Sequence, residues 1–160
     1  EIEAGDGRMT VDDVQVLLQS INPKIGIFYS DACHSGAFIG ALQLSKYVLL
    51  STTGGHTYGW GDRTFSGGAY FFESLVDGES DENVDGKITI SEAFFRSKER
   101  SLAHMKRIDS YLRTKYNYDQ GAGEYDELFG DKEGFIKSSV VPVMIVGSRA
   151  SSEVFLYRAY

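Results

Sequence analysis

Two short runs, Lys24 to Ser30 (KIGIFYS) and Lys46 to Thr52 (KYVLLST), constrain this chain more than anything else in it. Both are rich in β-branched, aromatic and aliphatic residues and bounded by turn formers. In the first, Ile25 and Ile27 share one face and Phe28 lies on the other, so both faces are apolar. Strands of that kind sit inside the sheet of an α/β protein. Each run ends in a loop of small residues, which is where such folds gather ligands and nucleophiles. Helix signals surround them. Thr10 with Asp13 forms a capping-box pattern, Val11, Val14, Leu17, Leu18 and Ile21 recur at helical spacing, and Asn22-Pro23 stops the run. Gly68 to Val76 and Ser91 to about Lys115 read as two further helices whose aromatics face the core. Gly5 to Gly7 reads as loop, residues 116 to 138 as a long surface excursion, and Val140 to Val146 and Val154 to Tyr157 as closing strands. No repeat or linker divides the chain, so we expect a single α/β domain over residues 1–160 with a mostly parallel central sheet.

Composition removes several function classes. With 42% hydrophobic and 24% charged residues the chain can build a core and is not a disordered tail. Sixteen basic against 23 acidic side chains give a net charge of −7, which repels phosphate backbones, and no basic stripe offsets it. Nucleic acid is therefore not an expected partner. No apolar run approaches the roughly 20 residues of a membrane span, and no signal peptide is visible.

The chain has one cysteine, Cys33, so no intrachain disulfide can form. It emerges where the first strand ends, in Asp31-Ala32-Cys33-His34-Ser35-Gly36, before another helical run. A free thiol with pKa near ~8.5 is only slightly ionised at neutral pH, and a nucleophilic cysteine needs a base beside it, usually histidine. Three histidines are present. His34 adjoins Cys33, and local geometry sends its side chain elsewhere than onto the sulfur; His56 lies in the loop after the second strand; His104 lies in the long helix. None is a convincing base.

Asp31-Ala32-Cys33-His34-Ser35-Gly36 after an apolar strand, a second apolar strand ending in Ser51-Thr52-Thr53, and a helix within Phe65 to Leu75 together resemble the clan of cysteine peptidases that contains caspases, metacaspases, legumains, gingipains and clostripain. The resemblance covers roughly residues 10 to 95. It implies a caspase-like three-layer sandwich of which this chain supplies the second half, and a cysteine endopeptidase with Cys33 as nucleophile. It further implies that the base is the histidine of a His-Gly pair on the preceding strand, and that cleavage between the two strands yields a two-chain enzyme. No His-Gly occurs between Glu1 and Cys33. We therefore expect the histidine upstream of Glu1, on an N-terminal chain of the same precursor that also completes the sheet. Packing argues likewise, because these residues offer too few strands to flank Ile25 to Phe28 on both sides. The resemblance also implies that the Cys33 backbone N–H and a glycine beyond this chain hold the oxyanion. Asp31 stands two positions before Cys33, and alternate residues leaving a strand project to one side. In metacaspase-like and clostripain-like members an Asp at this offset receives a basic P1 side chain, a pairing that suits bidentate Arg recognition; the alternative is that Asp31 hydrogen-bonds loop amides. Ser51, Thr52, Trp60 and Asp62 are further candidates for the substrate pocket.

A second motif stands apart from the first. Asp81-Glu-Asn83-Val-Asp85-Gly86-Lys87-Ile88-Thr89-Ile-Ser-Glu92 places oxygen ligands at positions 1, 3, 5 and 12 of a twelve-residue loop, glycine at 6 and an apolar residue at 8, the EF-hand pattern for Ca²⁺. Asp81, Asn83 and Asp85 would give side-chain oxygens, Lys87 its carbonyl, Thr89 a direct or water-mediated oxygen, and Glu92 a bidentate carboxylate. Because EF-hands generally pair and only one loop is present, a solvated acidic turn is the alternative. Two function classes thus compete: a calcium-binding cysteine endopeptidase matured by cleavage, and a catalytically inactive caspase-like scaffold acting as a calcium-binding interaction module.

Overall fold

The computed structural model describes residues 2–4, 7–57, 66–115, 142–153 and 155–157. Strands β1 (Ile2–Ala4) and β2 (Gly7–Met9) pair antiparallel, so that Gly7, expected in the Gly5 to Gly7 loop, opens a strand. Helix α1 (Val11–Ile21) has the expected bounds for the expected reasons. Thr10 accepts from the Asp13 amide and Asp13 caps the Thr10 amide in return, while Asn22 ends the helix in the left-handed region at φ 45°.

Strand β3 (Gly26–Ser30) pairs parallel with β4 (Tyr47–Ser51), and the short helix α2 (Ser35–Ala41) lies between them in sequence. Helix α3 (Gly67–Ser74) and a 3-10 turn (Gly78–Ser80) lead to the short strand β5 (Ile88–Thr89) and the long helix α4 (Ile90–Lys115). Strands β6 (Val143–Val146) and β7 (Phe155–Tyr157) follow.

The main sheet has the order β3-β4-β6, with β4 in the centre. The expectation of a mostly parallel sheet is corrected here: β3–β4 is parallel, β4–β6 is antiparallel, and the sheet is mixed. Apolarity on both faces reports burial, not direction. Every residue of β4 is buried, and Val48, Leu49 and Leu50 each contribute about 1.5–3 kcal/mol by leaving water.

The period-two alternation of β4 splits the core in two. Val48 and Leu50 meet Phe71 of α3 and Ala93 and Phe94 of α4 on one face. Tyr47 and Leu49 meet Val14 of α1 and Ile39 of α2 on the other. Phe71 and Phe94 are core residues as expected, whereas Phe72 and Phe95 face solvent. Helices thus cover both faces, and β3 has a partner on one side only among the described residues.

Candidate active site

Strand β3 ends at Ser30, Asp31 follows, and Ala32 to His34 form a bend and turn at its carboxyl end, beside the loop that follows β4. Cys33 is exposed. It lines a cavity of about 430 Å³ together with Ser30, His34, Val11 at the start of α1 and Phe38 of α2. His34 caps α2 with φ 58°, a left-handed conformation that non-glycine residues adopt sparingly. Its amide donates to the Thr57 carbonyl at 3.0 Å, which ties the cysteine turn to the loop behind it.

Gly36 earns its place through proximity, not through an unusual turn. It lies within α2, and a Cβ there would stand 2.6 Å from the Thr53 carbonyl oxygen and 2.7 Å from the Gly54 carbonyl carbon. Glycine at this position thus answers a close backbone approach.

Asp31 faces different surroundings from Cys33. Its Oδ1 accepts from the Thr52 hydroxyl at 2.5 Å, and its Oδ2 accepts from the Gly68 amide of α3 at 3.2 Å. A Cβ on Gly68 would lie 2.8 Å from that Oδ2, so glycine is what lets the carboxylate reach the helix. The expectation that Asp31 and Cys33 share one side is not met, since Cys33 lines the cavity and Asp31 is directed to Thr52 and Gly68. The alternative for Asp31 was a bond to loop amides; the amide it meets is that of Gly68 in the first turn of α3, and the residue as a whole remains exposed.

A relay backs this carboxylate. Tyr29 Oη lies 3.1 Å from Thr52 Oγ1. Because the one Thr52 hydroxyl proton goes to Asp31, Tyr29 is the donor to Thr52. Burial pushes the Tyr29 hydroxyl up to about 12 from 10.0, and the Asp31 charge reinforces the shift.

The other sequence candidates are distributed as follows. Ser51 and Thr52 are 0% and 2% exposed, so both are placed to hold neighbours rather than to touch a substrate; Ser51 donates to the Thr53 carbonyl. Trp60 and Asp62 lie outside the described residues, as does the 116–138 segment. His56 is exposed in the loop after β4. His104 is half-buried on α4, where its Nδ1 is 2.9 Å from the Tyr70 hydroxyl of α3, so its ring serves helix packing. What residue-by-residue reading missed is the buried pairing of Ser35 with Thr53 and the part of Tyr29. The only sequence signal for them was the density of hydroxyl residues at the two strand ends.

The second motif adopts the turn its pattern demands. Gly86, at position 6, has φ 78°, and the loop carboxylates fold onto loop amides: Asp81 accepts from Asp85 and Gly86, Asn83 from Asp85, and Asp85 from Lys87. Thr89 and Glu92 cap the start of α4 reciprocally. Glu92 Oε1 is buried without a hydrogen-bond partner. Among the described residues no three His, Cys, Asp or Glu side chains stand together as a metal cage. Ile88, at position 8, is fully buried and pairs with Tyr157 of β7. Strand β7 therefore occupies that edge of β5.

Compared with protein-family models, with curated proteins and with solved structures, the chain matches none. Among the described residues no helix is long and apolar enough to cross a membrane.

Proposed function

We propose that this chain is the nucleophile-bearing half of a caspase-like cysteine endopeptidase. The observation that carries the reading is Cys33, exposed in a cavity at the carboxyl end of a strand that pairs in parallel with its neighbour, on a turn held in a left-handed conformation. Backbone strain of that kind concentrates at functional sites. Cys33 thiolate attacks the scissile carbonyl, a thioester forms as the amine leaves with a proton from the histidine of the upstream segment, and water hydrolyses the thioester. The side of β3 that has no partner among the described residues supports a strand-donating segment that brings this histidine. Asp31 has lone pairs left after its two hydrogen bonds and accepts the guanidinium or ammonium of a basic P1 side chain.

Ca²⁺ is the proposed ligand of the loop, held by Asp81, Asn83, Asp85 and Glu92 with the Lys87 carbonyl and Thr89. The partnerless, buried Glu92 Oε1 supports it, because a buried carboxylate oxygen is costly until something positive or hydrogen-bonding meets it. The metal would cross-link the turn after α3 to the start of α4.

The test uses an electrophilic peptide with Arg or Lys at P1, applied to the chain together with its histidine-bearing segment. The expected result is a covalent adduct on Cys33, located by mass spectrometry and abolished by Cys33→Ala. Labelling by an Asp-P1 peptide instead refutes the Asp31 pocket. Labelling by neither refutes the peptidase and leaves the calcium-binding scaffold as the function.

A further inference from the structure

We infer that Ser35 and Thr53 are positioning residues that hold the Cys33 turn in its reactive geometry, an assignment resting on the proposed role of Cys33. Ser35 opens α2 and Thr53 follows β4, and the two side chains are 1% and 0% exposed. The Ser35 amide lies 3.0 Å from Thr53 Oγ1, the two hydroxyl oxygens are 3.0 Å apart, and the Thr53 amide lies 3.3 Å from Ser35 Oγ. Thr53 Oγ1 also lies 3.0 Å from the Ala32 carbonyl oxygen.

Only one proton assignment satisfies all four contacts. A carbonyl cannot donate, so the single Thr53 hydroxyl proton goes to Ala32. Thr53 Oγ1 can then only accept from Ser35, and the Ser35 hydroxyl is the donor while its oxygen accepts from the Thr53 amide. Thr53 thereby grips the turn at both ends, Ala32 by its carbonyl and Ser35 by its amide and hydroxyl, with Cys33 and His34 spanning the interval. His34 needs such a hold, since its φ of 58° is not one the local chain favours. Buried as they are, neither hydroxyl reaches a substrate. Their effect on chemistry passes through the backbone of Cys33.

A pair that only stabilises the fold changes the melting temperature and leaves the folded protein's turnover alone. A positioning pair lowers kcat at nearly constant KM, since displacement of a reacting group by about 1 Å can cost on the order of 100-fold in rate. The experiment compares Thr53→Val, Thr53→Ser and Ser35→Ala with the wild type, each with the histidine-bearing segment, on a P1-Arg peptide substrate. Thr53→Val keeps the shape and loses the hydroxyl. It is expected to retain native circular dichroism, lose kcat by about 100-fold, and regain most of it as Thr53→Ser. Wild-type kcat in folded Thr53→Val overturns the inference; should that variant fail to fold, wild-type kcat in Ser35→Ala overturns it equally. A wild type with no Cys33-dependent turnover overturns instead the nucleophile reading beneath it.

Discussion

Replacing Tyr29 with Phe removes one oxygen from the relay behind Asp31, and its consequence changes sign with pH. The ring itself stays, stacked on Phe71 at 5.2 Å between centroids, so packing is preserved. What goes is the hydrogen bond to Thr52, worth about 1 kcal/mol net, and near neutral pH Tyr29→Phe is expected to be less stable by about that amount. In alkali the wild type carries a liability the variant lacks. Its Tyr29 hydroxyl titrates near 10.0 when unfolded and at about 12 when folded. The neutral form is favoured in the fold, so this contribution to stability is whole below pH 10 and is lost as pH rises through 12. At pH 11 the unfolded chain has gained about one unit of deprotonation, or ~1.4 kcal/mol, against the folded one. The two effects nearly cancel there, and the deficit of the variant at neutral pH should disappear. Urea unfolding of both proteins from pH 7 to pH 11 measures this directly, and subtraction removes the other tyrosines, including Tyr47, whose hydroxyl burial also raises. A deficit that stays constant across this range refutes the buried, neutral Tyr29 donor.

Further outcomes follow from the same contacts. Gly36→Ala drives a Cβ to 2.6 Å from the Thr53 carbonyl oxygen; backbone lies there and cannot rotate aside, so a loss of about 1–3 kcal/mol in urea unfolding and slower alkylation of Cys33 are expected. Ca²⁺ at one hundred times its dissociation constant should add about 2.7 kcal/mol to stability, and Glu92→Gln should cancel the gain; titration calorimetry showing no heat and no shift in melting temperature would remove calcium from the account. Asp31→Asn should abolish preference for P1 Arg over P1 Leu in substrate kcat/KM while Cys33 remains alkylatable, and an unchanged preference places the basic pocket elsewhere.

The legible parts of this fold are those written in local chemistry. The bounds of α1 follow from Thr10, Asp13 and Asn22, and β4 from five consecutive buried residues that no helix face could hide. Strand direction was not legible, because a run apolar on both sides looks the same in either orientation; Val143 to Val146 runs against β4 although nothing in VMIV says so. The hairpin of β1 and β2 and the two-residue β5 are too short to show any period. At the candidate site, the place of Cys33 past the end of β3 and the positive φ of Gly86 in the loop from Asp81 to Glu92 were legible. The Ser35–Thr53 pair did not, since 18 residues separate two ordinary hydroxyls that meet only because β3 and β4 are neighbours. Nor did the direction of the Asp31 carboxylate, which depends on where β3 stops and on the bare backbone of Gly68.

That β3 has one partner among the described residues leaves a signature in its backbone. The Gly26 amide bonds to the Lys46 carbonyl and the Ser30 carbonyl receives the Thr52 amide, so residues 26, 28 and 30 address β4, and by alternation Ile27 and Tyr29 direct their amides the other way. Deuterium should therefore enter at Ile27 and Tyr29 ahead of Phe28 and Ser30 while that flank is bare. Once another strand docks, the odd and even positions should exchange alike, turning two amide signals into a gauge of whether the sheet is whole.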